Sequence, residues 1–132
     1  MSLRNNPPRI LIVEDSQELG NILRKALSLL EVDIIHELSG ASALATFQSW
    51  HPDVILLDIE LPDTTGWRLL DTLRSVATPE DNPSVIIVTA LSDAVNRVTG
   101  RIQDVQGYLI KPFSIDQVRH TVTNLLTQRA ED

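Results

Sequence analysis

The sequence predicts an α/β fold in which five strands form one parallel sheet with helices on both faces. Three observations carry that prediction. Four short apolar runs, Arg9-Ile10-Leu11-Ile12-Val13, Val54-Ile55-Leu56-Leu57, Val85-Ile86-Ile87-Val88 and Tyr108-Leu109-Ile110, have the length and the polar boundaries of buried strands. Helical patterns separate them, and strands joined through helices run parallel. Each run also ends in residues suited to phosphate or metal chemistry: Glu14-Asp15, Asp58, Thr89 and Lys111-Pro112. Ligands of open α/β sheets bind outside the carboxyl ends of the strands. Three acids, a hydroxyl and an amine therefore converge on one site.

The elements follow in order. The first strand covers residues 9–15. The first helix carries Leu19, Ile22, Leu23, Ala26, Leu27 and Leu30, an apolar stripe at helical spacing. The second strand, residues 32–38, is less apolar, as an edge strand should be. Ser39-Gly40 opens a second helix bearing Ala43, Leu44 and Phe47, and His51-Pro52-Asp53 breaks it. The third strand leads to Asp58. The third helix starts near Thr65-Gly66 and carries Leu69, Leu70, Leu73 and Val76. A polar loop over residues 78–83 precedes the fourth strand, residues 84–89. A fourth helix is expected over 92–103, but Asn96, Thr99 and Gly100 are poor helix formers. The fifth strand covers residues 107–110. Ser114-Ile115-Asp116-Gln117 then has the pattern of a capping box opening a fifth helix with Val118, Val122, Leu125 and Leu126 on its inner side. The expected organisation is a disordered tail at 1–8, one domain at 9–128, and a tail or linker start at 129–132.

Composition narrows the function. A chain of 132 residues, 42% of them hydrophobic, suits one globular domain. Its formal charge of −7 repels nucleic acid phosphates and argues against direct nucleic-acid binding. There is no cysteine, which excludes thiolate metal sites and disulfides. No apolar run approaches the ~20 residues of a membrane-spanning helix. A cytoplasmic location fits these features.

Asp58, at the end of a central strand, can act as a nucleophile that accepts a phosphoryl group. It reads equally well as a cap for the Leu61-Pro62 turn. Glu14-Asp15 shifts the balance. Two adjacent acids facing a third repel one another unless a hard cation lies among them, and oxygen-only ligands suit Mg²⁺. The structural alternative is that Asp15 or Ser16 caps the first helix, which leaves the other acid unexplained. Lys111 supplies a compact positive charge for Asp58 and later for a phosphoryl oxygen, although a strand-end lysine is more often solvated. Pro112 follows it, and a cis Lys111–Pro112 bond would aim the side chain at the pocket. Thr89 is usually structural in such a place, but the small Ala90 beside it leaves room for a phosphoryl group. His36, His51 and His120 are widely spaced and read as structural.

These residues in this order resemble the receiver domain of two-component response regulators. The matching strings are Ile12-Val13-Glu14-Asp15, Pro52 to Asp58, Leu61-Pro62 with Gly66, Thr89-Ala90, and Tyr108 to Phe113. The resemblance covers about residues 9–128. It implies a flavodoxin-like three-layer sandwich with strand order 2-1-3-4-5. It implies that Asp58 is the phosphoacceptor and that Glu14, Asp15, Asp58 and the Glu60 backbone carbonyl hold Mg²⁺. By the same resemblance Lys111 and Thr89 contact the phosphoryl group, and Tyr108 turns inward on activation. The donor would be a sensor histidine kinase or a histidine phosphotransfer domain. The surface formed by the fourth helix, fifth strand and fifth helix would then signal to a downstream effector or an attached output domain. Departures from the pattern are Leu61, Thr64-Thr65, and Asp104 where the family has a glycine seven residues before the lysine. Gln106-Gly107 stands where receiver domains that dimerise through that surface carry acids. A mainly monomeric unphosphorylated state follows.

Two other classes compete. A phosphatase of the haloacid dehalogenase type also uses a strand-end aspartate, Mg²⁺ and a lysine, but its D-x-D-x-T string follows the first strand. Here Asp58 follows the third apolar strand, with Glu60 and Pro62 at the other two motif places. A receiver-like interaction module that is never phosphorylated usually lacks one of the five site residues, whereas Glu14, Asp15, Asp58, Thr89 and Lys111 are all present.

Overall fold

A computed structural model describes residues 6–90 and 104–131. Strands β1 (Arg9–Val13), β2 (Asp33–Glu37), β3 (Val54–Asp58), β4 (Ser84–Thr89) and β5 (Gly107–Ile110) form one sheet in the order β2-β1-β3-β4-β5. Every neighbouring pair is parallel. Helices α1 (Gln17–Leu27), α2 (Gly40–Trp50), α3 (Gly66–Val76) and a C-terminal helix (Ile115–Glu131) lie between and after the strands. The expected fold class and strand order are those observed. The fourth helix expected over 92–103 lies outside the described residues.

Alternate residues of the inner strands feed two separate cores, because successive side chains of a strand point to opposite faces. Ile10, Ile12, Val54, Leu56, Ile86 and Val88 pack with Leu23, Ala26 and Leu27 of α1 and with Val118, Val122 and Leu125 of the C-terminal helix. Leu11, Val13, Ile55, Leu57, Val85 and Ile87 pack with Ala43 and Phe47 of α2 and with Leu69, Leu70 and Leu73 of α3. β3 and β4 are buried throughout, whereas the edge strand β2 is half-buried with an exposed first residue. The weaker apolar character of β2 has that cause.

Local signals act at the helix ends. The side chains of Ser16, Ser39 and Thr65 each accept a backbone N–H one turn into their helices. The capping box at the C-terminal helix forms in both directions: Ser114 Oγ accepts the Gln117 N–H, and Gln117 Oε1 accepts the Ser114 N–H. His51 ends α2 in the left-handed region at φ 55°, its N–H donating to Phe47 O. Asp104 also takes a left-handed φ, 58°, at the position where the resemblance leads one to expect glycine.

Several boundaries and faces differ from the sequence reading. β1 ends at Val13, two residues before 15. β2 is one residue shorter at each end than expected. Leu30 lies past the end of α1, and Ile22 and Val76, counted on apolar stripes, are 41% and 38% exposed. In α1 the inward position belongs instead to Gly20, against which His36 packs. The C-terminal helix runs past residue 128 to Glu131, and Arg129 donates to Asn82 O and Ser84 Oγ. No described helix is long and apolar enough to cross a membrane.

Candidate functional site at the carboxyl edge of the sheet

The central strands deliver the site. β1 and β3 are paired from Ile10–Val54 to Val13–Leu57, so the residues that follow them, Glu14 and Asp58, emerge side by side. One carboxylate oxygen from each of Glu14, Asp15 and Asp58 can be chosen so that all lie within 4.8 Å of one another. Glu14 and Asp58 are almost wholly buried, at 2% and 3% exposure, while Asp15 faces solvent. Ser16, not Asp15, caps α1 through its side chain. Capping therefore leaves the Asp15 carboxylate to the cluster.

Lys111 closes the arrangement from the end of β5. Its Nζ lies 2.8 Å from Asp58 Oδ2 and 3.2 Å from Glu14 Oε1. The Lys111–Pro112 bond is cis. The Lys111 N–H donates to the Thr89 carbonyl at 2.7 Å, which fixes the lysine backbone to the end of β4. Thr89 itself is buried. Tyr108 stands opposite Ile87 and is half-buried against the core on the α2–α3 side. Glu60 is exposed and donates its N–H to Asp58 Oδ1 at 2.9 Å. Asp58 Oδ1 thus closes the turn, as the capping reading expects, while Oδ2 meets the Lys111 ammonium.

The electrostatics are unbalanced without a cation. Burial, and then the neighbouring Asp58 carboxyl, push the Glu14 carboxyl up to about 7, against the pull of the Ser16 N–H. Glu14 Oε1 is buried and has no hydrogen-bond donor aligned with it. Burial alone would lower the Lys111 ammonium, but Asp58 and Glu14 outweigh it and hold the group above the ordinary lysine value. One lysine faces three carboxyl groups. An all-oxygen set that includes two nearly buried carboxylates suits a hard divalent cation.

Sequence reasoning passed over Asp63 and named Gly66 without its contact. The Asp63 carboxylate accepts the N–H groups of Gly40 and Ala41 at 2.9 and 3.0 Å, tying the loop after Asp58 to the start of α2. Those two bonds hold the Asp63 carboxyl below its ordinary range. Gly66 carries a packing constraint: a Cβ there would lie 2.5 Å from the Asp58 carbonyl oxygen, a backbone atom that cannot move aside cheaply. His51 and His120 take structural places, beside Asp81 and Asn124 respectively.

Residues 10–123 match the sequence model of the response regulator receiver domain. The chain belongs to that family. Among its relatives, the transcriptional regulatory protein TrcR of Mycobacterium tuberculosis is 34% identical over 123 residues, which cover 92% of this chain and 46% of TrcR. The regulatory protein AtoC of Escherichia coli is 34% identical over 122 residues, covering 92% of this chain and 25% of AtoC. The chain spans about half or less of the length of these relatives. Among solved structures, the receiver domain of the Francisella response regulator 1452 superposes with a TM-score of 0.80 at 30% identity, covering 93% of this chain and 98% of that one. A CheY-like receiver domain from Methanospirillum hungatei gives 0.85 at 21% identity, covering 96% and 98%, a likeness of fold. The chain is a signalling domain homologous to two-component response regulators.

Proposed function

We propose that this domain accepts a phosphoryl group on Asp58 from a phosphohistidine, within one domain spanning about residues 9–128. The donor is a sensor histidine kinase or a histidine phosphotransfer domain. The observation that carries the reading is the contact of Lys111 Nζ with Asp58 Oδ2 inside a cluster of three carboxyl groups. A carboxylate oxygen of Asp58 forms the new bond to phosphorus. The P–N bond of the phosphohistidine breaks, and its electron pair leaves with the imidazole. Such transfers depend on alignment and charge neutralisation more than on covalent help. Lys111 supplies one positive charge beside the acceptor. Glu14, Asp15, Asp58 and the Glu60 carbonyl would hold Mg²⁺, which supplies further neutralisation of the phosphoryl oxygens. Thr89 donates its hydroxyl to a phosphoryl oxygen.

The product carries about −1.5 to −2 charges where one carboxylate stood. Lys111 is drawn from Glu14 toward it, Thr89 follows, and Tyr108 turns inward. Because Lys111 and Thr89 share a backbone hydrogen bond, β4 and β5 respond together. The surface around β5 and the C-terminal helix then favours an effector or an attached output domain. The domain works in the cytoplasm, contacts neither nucleic acid nor membrane directly, and catalyses only its own phosphorylation and dephosphorylation. It is mainly monomeric before modification.

Intact mass after treatment with acetyl phosphate and Mg²⁺ tests the assignment. One acid-labile phosphoryl group should appear on the unmodified protein and none on Asp58→Asn. The same labile mass on the variant would sink the role given to Asp58.

A further inference from the structure

We infer that His36, on the edge strand β2, is a positioning residue for the acidic pair that would receive Mg²⁺. The inference rests on the reading of the site given above. β1 stops pairing at Val13, so Glu14 leaves the sheet one residue before the turn into α1. Two bonds from β2 extend the hold on the chain by that one residue. The Glu14 N–H donates to Glu37 O at 3.0 Å. On the other side of the same residue, the His36 ring nitrogen Nε2 lies 2.8 Å from Glu14 O. A carbonyl oxygen can only accept, so Nε2 carries the hydrogen in this contact whether the ring is neutral or charged. The peptide linking Glu14 to Asp15 is therefore fixed by a side chain, at the point where the two acids must diverge toward one cation.

α1 makes room for that ring. A Cβ built at Gly20 would fall 1.9 Å from His36 Cε1 and within 2.5 Å of both ring nitrogens. Any other residue at position 20 displaces the imidazole. Glycine is a poor helix former, and here it is the fourth residue of an 11-residue helix. The vacant Cβ place, the imidazole filling it, and the bond to the Glu14 carbonyl form one device. The rest of the Glu14 segment is already set: Glu14 Oε2 accepts the Ser16 N–H at 3.0 Å, and Ser16 caps α1. Without the imidazole, the Glu14 carbonyl loses its partner on β2, and the peptide that sets Asp15 against Glu14 is less constrained. Groups that orient metal ligands from behind commonly change metal affinity by about 10–100-fold when removed.

Mg²⁺ titration of Trp67 fluorescence tests the inference, with circular dichroism and thermal melting as controls on the fold. Unmodified protein should bind Mg²⁺, and its binding should be lost in Asp58→Asn with Asp15→Ala. If that arm fails, the reading of the site fails, separately from the role of His36. His36→Leu should weaken Mg²⁺ binding about tenfold while the far-ultraviolet spectrum stays unchanged. His36→Gln, whose amide N–H can reach the place of Nε2, should recover most of the affinity. Gly20→Ala should mimic His36→Leu for Mg²⁺ although alanine favours the helix. Wild-type affinity in folded His36→Leu or in Gly20→Ala, or equal loss in His36→Leu and His36→Gln, would overturn the proposal.

Discussion

Glu14 makes the stability of the domain depend on pH near neutrality. Its folded-state value of about 7 stands above an ordinary 4.5, so the folded state holds a proton that the unfolded chain has released. Folding is therefore favoured by this group at low pH, and the advantage is lost as pH rises from about 4.5 through 7. A cation bound to the carboxylate reverses the balance by favouring the ionised form. Mg²⁺ should accordingly raise the melting temperature more at pH 8 than at pH 5.5, and Glu14→Gln should flatten that difference. Equal stabilisation at both pH values would show that Glu14 does not titrate against the cation. The sequence announced the acids but not this value. Adjacent carboxyls are visible in a string of letters, whereas the near-complete burial of Glu14 depends on β2 and β3 flanking it.

Among the elements, the loop between β3 and α3 is tied to α2 by a side chain from its tip. Asp63 reaches two N–H groups at the start of α2, and Gly66 closes the other end against the Asp58 carbonyl. Asp63→Ala should lower the melting temperature and slow phosphorylation by acetyl phosphate, since that loop carries Glu60 and begins at Asp58. The contribution of Asp63 is fully present above its unfolded value of 3.8 and fades as pH falls through its lower folded value. The stability gap between wild type and Asp63→Asn should thus narrow in strong acid, which melts across pH 2.5–7 would check. Strand and helix identity was legible from periodicity, and so was the capping box at Ser114–Gln117, because both depend on nearby residues. Which face of a stripe ends up buried was less so. The buried stripe of α1 runs through Gly20, Leu23, Ala26 and Leu27, leaving Ile22 to one side, and Gly20 meets His36, a contact between residues 16 apart in the chain. The anchor from Asp63 to α2 spans 23 residues and leaves no local signature.

On the scale of the molecule, the sheet divides chemistry from support. The carboxyl edge carries the acids and Lys111, while the opposite edge is closed by polar contacts of its own. There Asp53 accepts the Arg9 N–H, and the Arg9 guanidinium bonds Trp50 O and lies over the Trp50 ring. Arg129, 3.7 Å from Asp53, brings the end of the C-terminal helix to the same place. The exposed side of β5 and of that helix offers a second copy little charge to read: Gln106-Gly107 precede Tyr108, and Arg119 is the one basic residue in the first half of the helix. Sedimentation at tens of micromolar should therefore find a monomer before phosphorylation, and a tight dimer there would refute this reading. The alternation of β3 between two cores has a different consequence, for the kinds of change that the gene can carry. Val54, Leu56 and Ile55, Leu57 are read into opposite layers one residue at a time, and Asp58 is simply the next position. Exchanging one apolar residue for another leaves that reading frame intact. Adding a single residue after Leu56 inverts it, sending Leu57 to the wrong layer and turning Asp58 away from Lys111. Such an insertion should abolish cooperative melting, where Leu56→Val should cost only about 1 kcal/mol. In this strand, drift is open to substitution and closed to changes of length.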